Sequence, residues 1–163
     1  PISQLYENLS KSRRRPTFIS DEIIEDTLQL KYGAKLTFLV LSLLYEGKNW
    51  GAVPHHIDHV IPQASVNRRA LMARNLPVSK IDQIIEASNK IGNLQLLTAA
   101  ENVEKNDSAF DHWSVAMDEA YYERHLIPRD QHLWDVLMLP EFVREREQLI
   151  RRKLKGLRAD FVT

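Results

Sequence analysis

Five consecutive residues, His55-His56-Ile57-Asp58-His59, put three imidazoles and a carboxylate into one short stretch of chain. An imidazole can ligate a metal, and its unperturbed titration near neutral pH also lets it act as a general base. A carboxylate oxygen is a hard donor that suits Mg²⁺ or Mn²⁺. Further along come Gly92-Asn93-Leu94-Gln95-Leu96-Leu97 and then Asn102, Lys105 and Asn106. Each fragment alone has an ordinary explanation. His55 beside Pro54 reads as incidental, Gly-Asn-Leu as a turn before a strand, Asn102 as a helix cap and Asn106 as structural. A zinc hydrolase is the rival metal reading, because His55 and His59 stand four apart. That chemistry needs the pair on a helix with Glu beside the first His. Pro54 and Pro62 bracket this run and no Glu occupies the slot, so the reading is rejected.

The elements that must position these residues can be sketched from pattern. Ser20 followed by Asp21 and Glu22 is a helix start, with acids where the helix dipole favours them. Helical pattern runs on towards Glu46, with a break at Gly33 and a C-cap at Gly47. Trp50, Val53, Ile57, Val60 and Ile61 are strand-like types. Ser79 with Asp82 predicts a capping box ahead of Ile81, Ile84 and Ile85, and Gly92 is expected to stop that helix. Leu94, Leu96 and Leu97 predict a short strand. A helix resumes near Ala99, and Ser108 with Asp111 predicts a second capping box. Pro140 and Glu141 open a long amphipathic helix to about Arg158. Trp113, Tyr121, Tyr122 and Trp134 read as core. The chain is thus mainly α (α+β), with one small β-hairpin in the middle. Residues 1–19 are expected to be a lead-in or linker and 20–163 a single domain.

Taken together, His56-Ile57-Asp58-His59-Val60-Ile61-Pro62-Gln63, then Gly92-Asn93-Leu94 with Leu97, then Asn102-Val103-Glu104-Lys105-Asn106 resemble the HNH nuclease motif. They are most similar to the HNH domains of GmrSD-type modification-dependent restriction enzymes and related anti-phage effectors. RNA-guided CRISPR nucleases carry a similar Asp-His-Ile-Val-Pro-Gln string. The motif spans 55–106, and the aromatic stretch and Arg-rich final helix extend the resemblance over about 20–160. It implies a ββα-metal core embedded in surrounding helices. It also implies hydrolysis of a DNA phosphodiester, which needs an activated water and a cation to neutralise developing charge. On that resemblance His59 is the general base, Asp58 and Asn102 are metal ligands, and His56 is a further ligand, a substrate contact or a structural group. Asn93 pins the loop that carries the base. Lys105 contacts a phosphate or the metal-bound carboxylate. A hard cation, Mg²⁺ or Mn²⁺, is expected rather than zinc. The resemblance further implies an N-terminal regulatory partner region outside this chain. A non-catalytic nucleic-acid-binding module on the same fold and an RNA-cleaving toxin are the alternatives.

The bulk numbers bound these readings. With 163 residues, 44% hydrophobic and 27% charged, the chain has the composition of a globular domain. Its 22 basic and 22 acidic residues cancel, which weighs mildly against a nucleic-acid binder. The charges are nevertheless segregated. Seven basic residues against two acidic lie between Arg144 and Arg158, and eight acidic against three basic between Glu101 and Asp130. Arg13-Arg14-Arg15 and Arg68, Arg69 and Arg74 form further basic clusters. Arg151 and Arg152 are the candidates for substrate contact, with a plain solvated helix face as the equal alternative. No cysteine is present, which removes disulfides and fits a reducing cytoplasm. The apolar run Leu36–Tyr45 is too short to span a bilayer, so no membrane partner is expected. The first residue is Pro, which suggests a piece of a longer protein. A double-strand break would need two nicks or a dimer, which leaves a homo-oligomer open.

Overall fold

The computed structural model describes residues 19–45 and 53–160. Expectations placed on Arg13-Arg14-Arg15, Gly47 and Trp50 lie outside the described residues. Helix α1 (Asp21–Leu28) begins as its sequence requires, with the Ser20 hydroxyl accepting from the Ile23 N–H at 3.1 Å. Gly33, at φ +82°, then turns the chain at the expected break, and α2 (Thr37–Leu43) follows within the apolar run.

Strand β1 (His55–His59) pairs antiparallel with β2 (Leu94–Thr98), with His59 opposite Leu94, Asp58 opposite Gln95 and His56 opposite Leu97. The two strands are not joined by a tight hairpin turn. Between them run a 3₁₀ turn (Gln63–Val66), α3 (Arg68–Met72), α4 (Val78–Ser88) and a second 3₁₀ turn (Ile91–Asn93). The turn from α3 to α4 is exposed and carries Asn75 at φ +55°. After β2 come α5 (Ala99–Lys105), α6 (Phe110–Ser114), α7 (Glu119–Arg124), two 3₁₀ turns and the long α8 (Leu139–Asp160).

Two capping boxes are not where the sequence suggests. Helix α4 starts one residue before Ser79, directly after Pro77, whose ring fixes a φ of −58°. Asp82 pairs instead with Arg68. Helix α6 starts at Phe110, which is buried in the core, and Asp111 accepts from the neighbouring His112 N–H. The capping box that does form is Thr98 with Glu101 at the head of α5, where each side chain satisfies the other's backbone. Gly92 does not cap α4, which ends at Ser88. Its role is close approach: a Cβ there would lie 2.8 Å from both Val143 Cγ1 and the Val143 carbonyl oxygen on α8.

The sheet divides the core. Leu94 and Leu96 of β2, with half-buried Ile57 of β1, pack against Ile24, Leu28, Leu41, Ile150 and Leu154 from α1, α2 and α8. Leu97 faces Val60, Ile61, Ile81, Ile84, Phe110, Tyr121, Phe142 and Val143. Each fully buried Leu, Ile or Phe contributes about 1.5–3 kcal/mol. These contacts clamp a very small sheet that would not stand alone in water. Tyr121 and Trp134 are buried, as their sequence context suggests, while Trp113 and Tyr122 pack against the same cluster half-buried. Among the described residues no helix is long and apolar enough to cross a membrane.

Candidate functional site

Successive residues of a strand point to opposite faces, so Asp58 and His59 acquire different neighbours. His59 ends β1, is 8% exposed and lies under the ring of Tyr32, with ring centroids 4.7 Å apart. Its Nε2 is 3.2 Å from the Asn89 amide oxygen, which also accepts from Gln63 Nε2 at 2.8 Å. With the Asn89 oxygen accepting, the tautomer that fits this contact has the proton on Nε2 and leaves the Nδ1 lone pair free for a base. Burial holds this imidazole below the usual histidine range. The Asn89 hydrogen bond and the Asp58 charge act the other way.

Asp58 faces α5. Its Oδ2 is 2.9 Å from Lys105 Nζ and accepts from Gln95 Nε2 at 2.9 Å. Gln95 is oriented by Tyr121, whose hydroxyl donates to its Oε1 at 2.8 Å. Among the described residues Asp58 Oδ1 receives no hydrogen bond, so one carboxylate oxygen is held and the other is open. Lys105 is completely buried and also donates to the His59 carbonyl at 2.8 Å. Of the two contacts expected for it, the structure provides the carboxylate.

Asn102 lies one turn before Lys105 on the same stripe of α5, is half-buried, and its amide makes no hydrogen bond among the described residues. His56 is exposed, two residues before Asp58 on the same face of β1. Among the described residues no three His, Cys, Asp or Glu side chains gather within reach of one ion. The candidate donors on this side of β1 are the Asp58 oxygen without a hydrogen bond, the Asn102 amide oxygen and the exposed His56 imidazole. Hard, neutral-plus-anionic oxygen donors like the first two fit a cation that retains much of its own water.

Asn93 is wholly buried and makes three hydrogen bonds. Its Oδ1 accepts from the Ile61 N–H at 2.9 Å, and its Nδ2 donates to the Ile61 and Ser88 carbonyls at 3.0 and 2.9 Å. Its own carbonyl accepts from the Val60 N–H at 2.8 Å. The segment leaving His59 is thereby fastened to the segment entering β2.

The C-terminal basic run behaves less uniformly. Arg151 forms a two-pronged ion pair with Glu25 at 2.8 and 2.9 Å, and Arg152 is exposed. Arg146, from the same run, is 1% exposed and donates to the His125, Gly92 and Leu94 carbonyls at 3.0, 2.9 and 2.8 Å. Two of those carbonyls flank Asn93, so Arg146 ties the Asn93 clamp to α8. Sequence reasoning missed Arg146, Asn89, Gln95 and Tyr32. Only Arg146 left a signal, since it shares a four-residue spacing with Phe142, Ile150 and Leu154 on the buried stripe of α8.

Comparison with known proteins supplies the context. No curated protein matches the chain. A family model, that of GmrSD restriction endonucleases, C-terminal domain, matches residues 5–153. That match spans the whole site, from the Tyr32 turn to Arg146, and the chain belongs to the GmrSD restriction endonuclease C-terminal domain family.

Proposed function

We propose that this domain is an HNH-type endonuclease that nicks DNA in a restriction or anti-phage defence system, with Mg²⁺ or Mn²⁺ as cofactor. One observation carries the reading: neighbouring residues at the end of β1 present a proton acceptor and an open carboxylate oxygen on its two faces, and β1 forms the edge of the sheet. A phosphodiester laid across that edge has His59 on one side and Asp58 with Asn102 on the other. A divalent ion held by Asp58 and Asn102 would supply charge neutralisation at the phosphate. His59 Nδ1 takes a proton from the attacking water as its oxygen bonds to phosphorus. The P–O3′ bond breaks, and the 3′ oxygen leaves with that electron pair and takes a proton from solvent water. The products are a 5′-phosphate and a 3′-hydroxyl. Lys105 and Gln95 fix the Asp58 carboxylate, and Asn93 fixes the backbone behind the base. Conversion of supercoiled plasmid to open circle with Mg²⁺, with Mn²⁺ and with EDTA tests the reading, on wild type beside His59→Ala. Metal-dependent nicking that the variant loses supports it. Equal nicking by the two proteins removes His59 from the role of base.

A further inference from the structure

We infer that the exposed turn Lys31-Tyr32-Gly33-Ala34-Lys35 grips the phosphate backbone of the DNA strand being cut, with one lysine on each side of Tyr32. The inference rests on the nuclease reading and names where its substrate is held. The turn is bound to the base from three directions. The Tyr32 ring lies on the His59 imidazole, and the Tyr32 N–H donates to the carbonyl of Asn89, whose amide oxygen holds His59 Nε2. Lys31 bridges Lys90, and the Ile91 N–H donates to the Leu30 carbonyl.

The conformation of the turn is set by backbone and by one hydroxyl. Gly33 adopts φ +82°, which side-chain-bearing residues rarely accept, and Thr37 Oγ1 donates to the Lys31 carbonyl at 2.7 Å. Among the described residues the Lys31 and Lys35 side chains make no hydrogen bond or ion pair, and both residues are exposed. Most other cations at the surface are engaged: Arg151 with Glu25, Lys90 with Glu86, Lys155 with Asp21, Lys80 and Arg144 with Glu141. Among the described residues neither Lys31 nor Lys35 has an acidic partner. Tyr32 remains half exposed although it covers the imidazole, so a strand that reaches His59 runs beside it. Two unpaired ammonium groups at that point fit phosphate oxygens, which take a lysine without sequence preference.

The test measures binding of a fluorescein-labelled DNA duplex across a salt series. It uses protein with His59 intact, in EDTA, so that the duplex is not consumed. Each phosphate contact contributes about 0.9 to the slope of log affinity against log salt. Replacing both lysines by Ala should lower that slope by about 1.8 and weaken binding at low salt. The Lys31→Gln/Lys35→Gln pair, which keeps the side-chain stems, should do the same. A slope unchanged in both double variants overturns the inference even while the wild type goes on nicking plasmid. A drop seen with RNA but not with duplex DNA also overturns it. Absence of any DNA binding or nicking by folded wild-type protein instead removes the nuclease reading, and the inference falls with it.

Discussion

Asn93 and Asn102 stand nine residues apart in one motif, yet the structure gives them opposite consequences on replacement by Ala. Asn93 is fully buried with three side-chain hydrogen bonds. At about 1 kcal/mol for each bond, their loss costs about 3 kcal/mol. A stranded Ile61 N–H, buried without another acceptor, raises the figure towards about 5 kcal/mol. A domain of this size has only about 5–15 kcal/mol in hand, so Asn93→Ala should shift the urea midpoint far down. It should also reduce nicking at temperatures where the protein stays folded, because the backbone behind His59 loses its anchor. Asn102→Ala removes a half-buried amide that bonds to nothing among the described residues. Its urea curve should overlie that of wild type within about 0.5 kcal/mol, while its metal-dependent nicking falls. Paired urea melts and plasmid assays decide the matter. An Asn93→Ala cost below about 1 kcal/mol would refute the clamp, since three good buried bonds cannot be worth so little. Loss of stability in Asn102→Ala would make that residue structural.

Three further outcomes follow. Lys105→Met keeps the buried stem but leaves Asp58 without its cation and the His59 carbonyl without its donor, so stability should fall by about 2–4 kcal/mol in chemical denaturation, with nicking lost as well. Burial depresses the folded-state titration of His59, so its stabilising contribution is complete above the unfolded value of about 6.5 and is lost as pH falls through the folded value. Urea midpoints taken between about pH 5 and 7 should consequently fall more steeply for wild type than for His59→Ala, and parallel curves would contradict the assignment. Glu147 has a buried oxygen without a hydrogen-bond partner among the described residues, and burial raises its titration, so stability is lost as pH rises from the unfolded value of about 4.5 through the folded value. Glu147→Gln should stabilise the domain at neutral pH by at most about 1 kcal/mol and have no benefit below pH of about 4, read from thermal melts at both pH values.

Why some of this was legible in the chain and some was not has a physical basis. His59, Asp58, Asn93, Asn102 and Lys105 are residue types with specific chemistry at fixed spacing, and spacing survives in a sequence. The strand at Leu94, the helix at Ala99 and the Pro140 start of the last helix follow from local propensity and capping, which are equally local. The partners that complete the site come from tertiary contact. Nothing in the local sequence marks Asn89 or Tyr32 as partners of His59. Gln95 is a polar residue between leucines, and nothing in the chain says that Tyr121 will aim its amide. Arg146 misleads most: charge alone placed it with the solvated run, whereas it is buried and its hydrogen bonds among the described residues all go to backbone carbonyls. The false capping boxes at Ser79 and Ser108 have a common cause, since Pro77 and the buried Phe110 decide where those helices begin.

The long connection between β1 and β2 divides the site along the chain as well as in space. Everything up to the exposed turn at Asn75 contains His59, Asp58 and the Tyr32 platform. Everything after it contains Asn89, Asn93, Gln95, Asn102, Lys105 and Arg146. Neither portion holds both His59 and Asn89, or both Asp58 and its partners Gln95 and Lys105, and neither owns a complete sheet. On the proposed nuclease reading, a backbone break at that turn would leave neither piece with a complete site, so any cutting would require the two to reassemble. The domain is in that sense a two-key lock, with both keys written on one polypeptide and joined at a surface turn.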